Sequence, residues 1–555
     1  MIWYADLLRK VSMFLKKYWI EILTFSIVFL VLLICLLPNF TWINTDYDGV
    51  SYTMAAKYMS PSHNTSAPLF LLLGRLFLFL PFGTEAWRMG LISVLATTIC
   101  SILIYLTIKQ HLLNNPQVRL YSIISSLIYG GSALVISQSI IIESYALSTM
   151  LMVAAYYMCI RGKFVLASIF LGLTLAIHPL LFLMIYLVIF IVYKPIRNKK
   201  LITYTLVFTL FYLYVPIVIK IHNDPSMWGN STISVFLSHN LATLTMLTGT
   251  LSIYDFPKRV FDTIGILGIS MGLGLIVMIW YFIKEKTYKN VLLWLTLIPI
   301  IYFATDLSAE TYVYMLPSIA FGAVVIGIGL SKLKLRYSYA VLAVAVGLMV
   351  FNANYFDIGR TLDSNLSATE YYNEELPKLK DGDILLTGGW TGTIAYLYNK
   401  EEGRNIIPIS TDIIPSDEYF KAKGINITRS ISDNIIDRRY EDALSIANSN
   451  PNVWLAKETN PCTYEYELVP AEGNEWIFKR WLGYKVKTEW KWKPSNPYDF
   501  VTGALGISEW GFVLKSNKNM LMVGISGFGT VVLYLLATNK LSRKQLMDKL
   551  LKRKG

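Results

Sequence analysis

Apolar runs long enough to cross a lipid bilayer, set apart by short clusters of lysine and arginine, recur along most of this chain. A helix needs about twenty consecutive apolar residues to span the roughly 30 Å hydrocarbon core, where no water can satisfy an exposed backbone group. The pattern therefore predicts a helical bundle in a membrane. Composition agrees: of 555 residues 54% are hydrophobic and only 16% charged, with mean hydropathy +0.47, where soluble domains carry about a quarter charged. The net charge of +13 fits the basic bias of cytoplasmic loops. No basic patch is interleaved with base-stacking aromatics, which argues against nucleic acid as a partner. Cys35, Cys100, Cys159 and Cys462 form no CxxC pair or zinc spacing, and three of them lie in apolar runs, the setting of a small buried thiol.

The basic clusters set the expected topology. Arg9, Lys10, Lys16 and Lys17 precede the apolar run 19–40, which has no small-residue cleavage site and reads as a signal anchor with a cytoplasmic N-terminus. The preceding ADLLRKVSMFLKKYW mixes leucine and lysine at helical spacing, as in a helix lying on the inner surface. Further clusters fall at 109–119, 161–163, 194–200, 284–289 and 331–336, and in the tail KLSRKQLMDKLLKRKG. If all face the cytoplasm, an even number of crossings separates neighbours. Residues 121–160 then hold two spans, and 164–193 hold two short helices turning at His178-Pro179. Continued along the chain, this gives a mostly α, polytopic protein of about twelve spans, both termini inside.

The same topology places the acids of the stretch 43–76, the turn IIIESYAL (140–147), His178, the loop 216–259 and TDLSAETYVY (305–314) on the outer face. Acids at a membrane edge are costly and mark functional sites by default, although any one of them could be a solvated loop residue. Residues 1–353 read as a membrane core, and 354–516 as an α/β domain outside the membrane. There DGDILLTGGWTGTIAYLYNKEEGRNIIPIS predicts strand, Gly-rich turn, helix, strand. TGGWTG lacks both phosphate-loop patterns and is read as a structural turn. Residues 517–555 supply a last span, about 519–538, and the basic tail.

Several motifs in order resemble a family of prokaryotic membrane glycosyltransferases related to animal O-mannosyltransferases of the plexin-modifying type. These are DGVS (48–51), MAAKY (54–58), HNTS (63–66), PLF (68–70), LLGRL (72–76), LPFGTEAWRMGLIS (80–93), ESYAL (143–147) and LGLTLAIH (171–178). FYLYVPIVIKIHNDPSMWGNSTISVFLSH (211–239), ETYVYMLPSIAFG (310–322) and GTIAYLYNKEEGRN (392–405) continue the series. The resemblance implies the multi-span C-type glycosyltransferase fold and a sugar carried on a polyprenyl phosphate. It also implies a hydroxyl acceptor on protein or glycan, with Ser/Thr of protein foremost. Asp48 stands at the family's acidic position. Ser51 replaces the glutamate expected there, His63 lacks the prolines that follow it, and Val218 replaces an arginine. The loop thus lacks the second acid that a metal-assisted role would call for, and Asp48 or Asp46 is left as sole base. No cofactor is implied, and a divalent metal is not supported.

The residue chemistry fits that reading. The run PLFLLLGRLFLFLPF (68–82), too short to span, would lie in the outer leaflet beside the donor lipid. A loop carboxylate would accept the acceptor's proton, and cations would offset charge on the departing phosphate. For the phosphate the order of expectation is Arg75, then Arg259, with Lys57, Arg88 and Lys258 behind, since a guanidinium fork suits phosphate best. His63, Glu143, Tyr145, His178, Trp228 and Glu310 become supporting or acceptor-side candidates. Three other readings stay open: a polysaccharide or lipid glycosyltransferase or ligase, an inactive homologue, and a lipid-linked sugar transporter. The last is disfavoured because the spans read as almost wholly apolar.

Overall fold

The computed structural model describes residues 2–480 except 41–47, 61, 63–66, 194–198, 215–216, 219–220, 222–255, 286–290, 306–310, 364–370, 388, 411–416, 432–440, 444, 447–448, 451 and 457–477. Helix predominates. Among the described residues four helices are long and apolar enough to cross a membrane: 17–35, 85–111, 312–330 and 335–354, or six if each of two bent pairs is one span. The first helix, α1 (Ile2–Cys35), breaks its helical geometry at Tyr18, between the basic N-terminal segment and the span.

Helix α4 (Glu85–His111) shows why a long span forms here. Thr84 caps it by accepting from Trp87 N at 3.1 Å, Glu85 lies at its positive end, and Lys109 and His111 at its negative end. Helices α5 (Val118–Gly130) and α6 (Ala133–Ser139) meet at a 60° bend. The Gly131 carbonyl freed there accepts from Asn352 Nδ2 at 2.8 Å, so that oxygen is not left unpaired in an apolar medium. The sequence reads these spans as almost wholly apolar, but they carry buried serines and threonines. Thr97 and Ser139 hydroxyls pair at 2.6 Å, and the Ser126 hydroxyl donates to Ser101 O at 2.9 Å. These small polar residues are turned onto neighbours and backbone and serve close helix packing.

Beyond α7 (Tyr145–Ile160), helices α8 (Phe164–Leu175) and α9 (Pro179–Val192) break at the expected His178-Pro179. Proline sits at the first helical position, where its missing N–H costs nothing. Next come α10 (Lys199–Leu206), then α11 (Phe256–Met271), α12 (Leu273–Lys284) and α13 (Val291–Thr305). Helix α14 (Leu316–Leu330) is buried along its whole length at the centre of the largest apolar cluster, and α15 (Leu335–Asp363) follows.

The predicted strand–helix–strand is present as β1 (Ile384–Thr387), α16 (Gly389–Glu402) and β2 (Ile407–Ser410). With β3 (Val453–Ala456) and β4 (Phe478–Arg480) they form a sheet of order β2-β1-β3-β4. β1 pairs parallel with both neighbours, Ile384 opposite Ile407 and Val453, while β3 and β4 are antiparallel. The last expected span, about 519–538, lies outside the described residues.

Candidate functional site

Four helices begin at one place. Asp48 stands at the N-cap of α2 (Gly49–Tyr58), Ser144 at that of α7, His178 at that of α9, and a 3-10 turn, Thr311–Met315, leads into α14. Their convergence is carried by aromatic contacts. The Tyr145 ring lies 5.4 Å from that of His178 and 5.6 Å from that of Tyr314, and His178 and Tyr314 are 5.4 Å apart. Tyr302 closes the group, 5.3 Å from Tyr314. Asp48, Glu143, Tyr52 and Tyr314 all lie within electrostatic range of the Tyr145 hydroxyl.

Glu143 is no solvated loop acid. It is 3% exposed, its carboxylate accepts from Ser144 N at 3.2 Å, and its carbonyl accepts from the Ser93 hydroxyl at 3.0 Å. His178 is buried as well, and its Nδ1 accepts from Leu181 N at 3.4 Å. That bond puts the proton of a neutral imidazole on Nε2, at the ring's far edge. Ser51, one turn past Asp48, is buried, so a hydroxyl occupies the place of the second acid. The side chains at the N-caps of α2 and α7 do not cap these helices. Helix N-termini carry partial positive charge and unpaired N–H groups, so this junction favours an anion.

The expected cations lie elsewhere. Lys57 is nine residues along α2 from Asp48, about 13 Å of rise at 1.5 Å per residue. Its ammonium pairs with Glu85 at 2.9 Å and with Glu401 of α16. Burial lowers its pKa, but the hydrogen bonds and charges of these two carboxylates more than offset this and hold it above the ordinary lysine value. Arg75 on α3 (Pro68–Leu78) donates Nη1 to Lys57 O, and its guanidinium lies 5.2 Å from the centre of the Phe79 ring. Arg88 donates to Leu78 O at 2.7 Å and Leu80 O at 2.8 Å, which closes the end of α3. Of the other candidates, Asp46, His63, Trp228 and Glu310 lie outside the described residues, and Lys258 and Arg259 fall in α11 with side chains that are not described.

The structure thus gathers Asp48, Glu143, Tyr145 and His178 and sets Lys57, Arg75 and Arg88 apart from them. Tyr314, Tyr302 and Tyr52 were not singled out in the sequence. Tyr314 stands inside the ETYVYM block, which was the available signal. Among the described residues no group of three or more His, Cys, Asp or Glu could hold a metal ion.

ArnT from Cupriavidus metallidurans bound to undecaprenyl phosphate is similar at 11% identity and TM-score 0.48, over 75% of this chain and 97% of that one. The Archaeoglobus fulgidus oligosaccharyltransferase tethered with an acceptor peptide containing the NVT sequon is similar at 10% identity and TM-score 0.37, over 71% and 64%. No curated protein matches the chain. Residues 48–202 do match a family model, that of the "Protein O-mannosyl-transferase TMEM260 N-terminal domain". The resemblance read from the motif order thus has a match over this stretch, which carries Asp48, Glu143, Tyr145 and His178.

Proposed function

We propose that this chain is a membrane glycosyltransferase that moves a sugar, mannose foremost, from a polyprenyl-phosphate donor to a hydroxyl acceptor, Ser/Thr of protein foremost. The reaction takes place on the outer face, in a protein of about twelve spans with both termini inside and residues 354–516 outside. One observation carries the proposal: Asp48, Glu143, Tyr145 and His178 meet where four helices begin. Asp48 accepts the acceptor's proton as that oxygen bonds to the anomeric carbon. The bond from that carbon to phosphate breaks, and the electron pair leaves with the polyprenyl phosphate. Converging helix ends and the His178 Nε2 donor offset the growing negative charge. The apolar helix α3, with Leu76 and Phe79 exposed, offers the lipid tail a surface beside the site. Ser51 in place of the expected acid suits a mechanism with a single base.

The test is transfer by the purified full-length protein. With polyprenyl-phosphate mannose and a panel of serine/threonine peptides and glycans, one acceptor should gain one hexose by mass spectrometry. Donor consumed only into glycans or lipids would move the protein to polysaccharide or lipid glycosylation. No transfer to any acceptor, with the donor still bound, would support the inactive-homologue reading.

A further inference from the structure

Helix α2 has ten residues, too few to be stable by itself in water, and it has no core of its own. Tyr52, Ala55 and Ala56 join the apolar cluster built on α3 and α4. Val50 and Met54 instead enter the cluster of the sheet-bearing unit, with Ile394 and Leu397 of α16 and Leu385 of β1. The helix that begins at Asp48 is thus wedged between two units. At its far end Lys57 joins Glu85, at the start of α4, to Glu401, in the last turn of α16. The sheet-bearing unit holds Glu401 in turn, since Tyr372 donates to its second oxygen at 2.7 Å. A cavity of about 190 Å³ opens beside Glu85, Glu401 and Tyr372, so this junction faces solvent on one side and water reaches the bridge.

We propose that Glu401 is a positioning residue for transfer. Through Lys57 it locks α2 against the sheet-bearing unit and so fixes where the Asp48 carboxylate points. Lys57 is then a bridge between two carboxylates and not a phosphate ligand. An ammonium held by two acids is neutralised toward a third anion, and it lies too far along α2 for a phosphate that departs beside Asp48. The locking itself is a statement about geometry; its effect on turnover rests on the transferase reading above.

Three variants of the full-length protein test this: Glu401→Gln, Lys57→Met and Lys57→Arg. Hydrogen exchange of the amides of residues 49–58 is read beside kcat and donor KM. Glu401→Gln and Lys57→Met should both lose protection at 49–58. Both should lower kcat by tenfold or more, up to ~10²-fold, the scale of a displacement of about 1 Å, with donor KM within about twofold. Lys57→Arg, which still reaches both acids, should recover protection and turnover relative to Lys57→Met. Unchanged protection in Glu401→Gln and Lys57→Met would overturn the lock. So would a raised donor KM in Lys57→Met with Glu401→Gln behaving as the parent, because that pattern belongs to a phosphate ligand. The exchange measurement needs no substrate, so a parent that transfers nothing refutes the transferase reading while protection still decides the lock.

Discussion

His178 shows how one side chain carries two duties that a single deletion would confuse. Its Nδ1 caps α9, a contribution of about 1 kcal/mol at such positions, while its ring packs tilted against Tyr145 and edge-on to Tyr314 at the site. His178→Ala should lose both stability and transfer. His178→Asn can still cap the helix, so thermal stability should return without transfer; if transfer returns as well, the ring is only a cap. Arg75 poses a similar question. One N–H holds the Lys57 carbonyl, and its other donors are uncommitted among the described residues. Arg75→Lys keeps the charge but loses the fork, so donor KM should rise several-fold if the guanidinium receives the donor's phosphate. A parental KM in both Arg75→Lys and Arg75→Ala would leave Arg75 as the cap of α2 alone. The Lys57 pKa makes a pH claim. Raised above its unfolded value, it contributes stability that is whole below about pH 10 and is lost as pH rises through the folded value. The gap in thermal midpoint between parent and Lys57→Met should therefore not change between pH 7 and 9; a gap that closes by pH 9 would contradict the bridge.

Among the elements, α3 owes its place to a missing side chain. A Cβ on Gly74 would stand 2.6 Å from Met89 Cε and 3.2 Å from Ala56 Cβ, so the glycine of LLGRL lets three helices approach. The Met89 end can swing away, so Gly74→Ala should be tolerated. Gly74→Leu should lower stability by about 1–3 kcal/mol through overpacking, measured by thermal unfolding in detergent; equal midpoints for Leu and Ala would refute the close approach. The strand–helix–strand at 384–410 was legible because short apolar runs, a glycine turn and a helical segment occur in sequence. Asp48, Glu143 and His178 were legible for a related reason, as each polar residue interrupts an apolar pattern at a helix start. The bond between Lys57 and Glu401 spans 344 residues, and local periodicity carries no record of such pairs. The lengths of the membrane helices were only partly legible. Helices such as Tyr145–Ile160 and Phe164–Leu175 are shorter than a full span, and apolar periodicity does not mark where such a helix stops.

At the scale of the whole molecule, α2 joins a helical core to a mixed sheet, and Asp48, Glu143, Tyr145 and His178 lie where core helices begin. The expected topology, about twelve crossings with both termini inside, predicts that cysteines placed at 163 and 194 label from the same side. Labelling from opposite sides would remove the even count between those clusters. Whether Asp48 is the base of a glycosyl transfer is decided by single-turnover transfer from polyprenyl-phosphate mannose by the parent, Asp48→Asn and Asp46→Asn, with donor binding measured in the same preparations. Transfer should fall ~10²–10⁴-fold in Asp48→Asn, the range of general-base catalysis, with donor binding retained and Asp46→Asn the milder of the two. Parental transfer by Asp48→Asn, or a loss confined to Asp46→Asn, would contradict that role for Asp48.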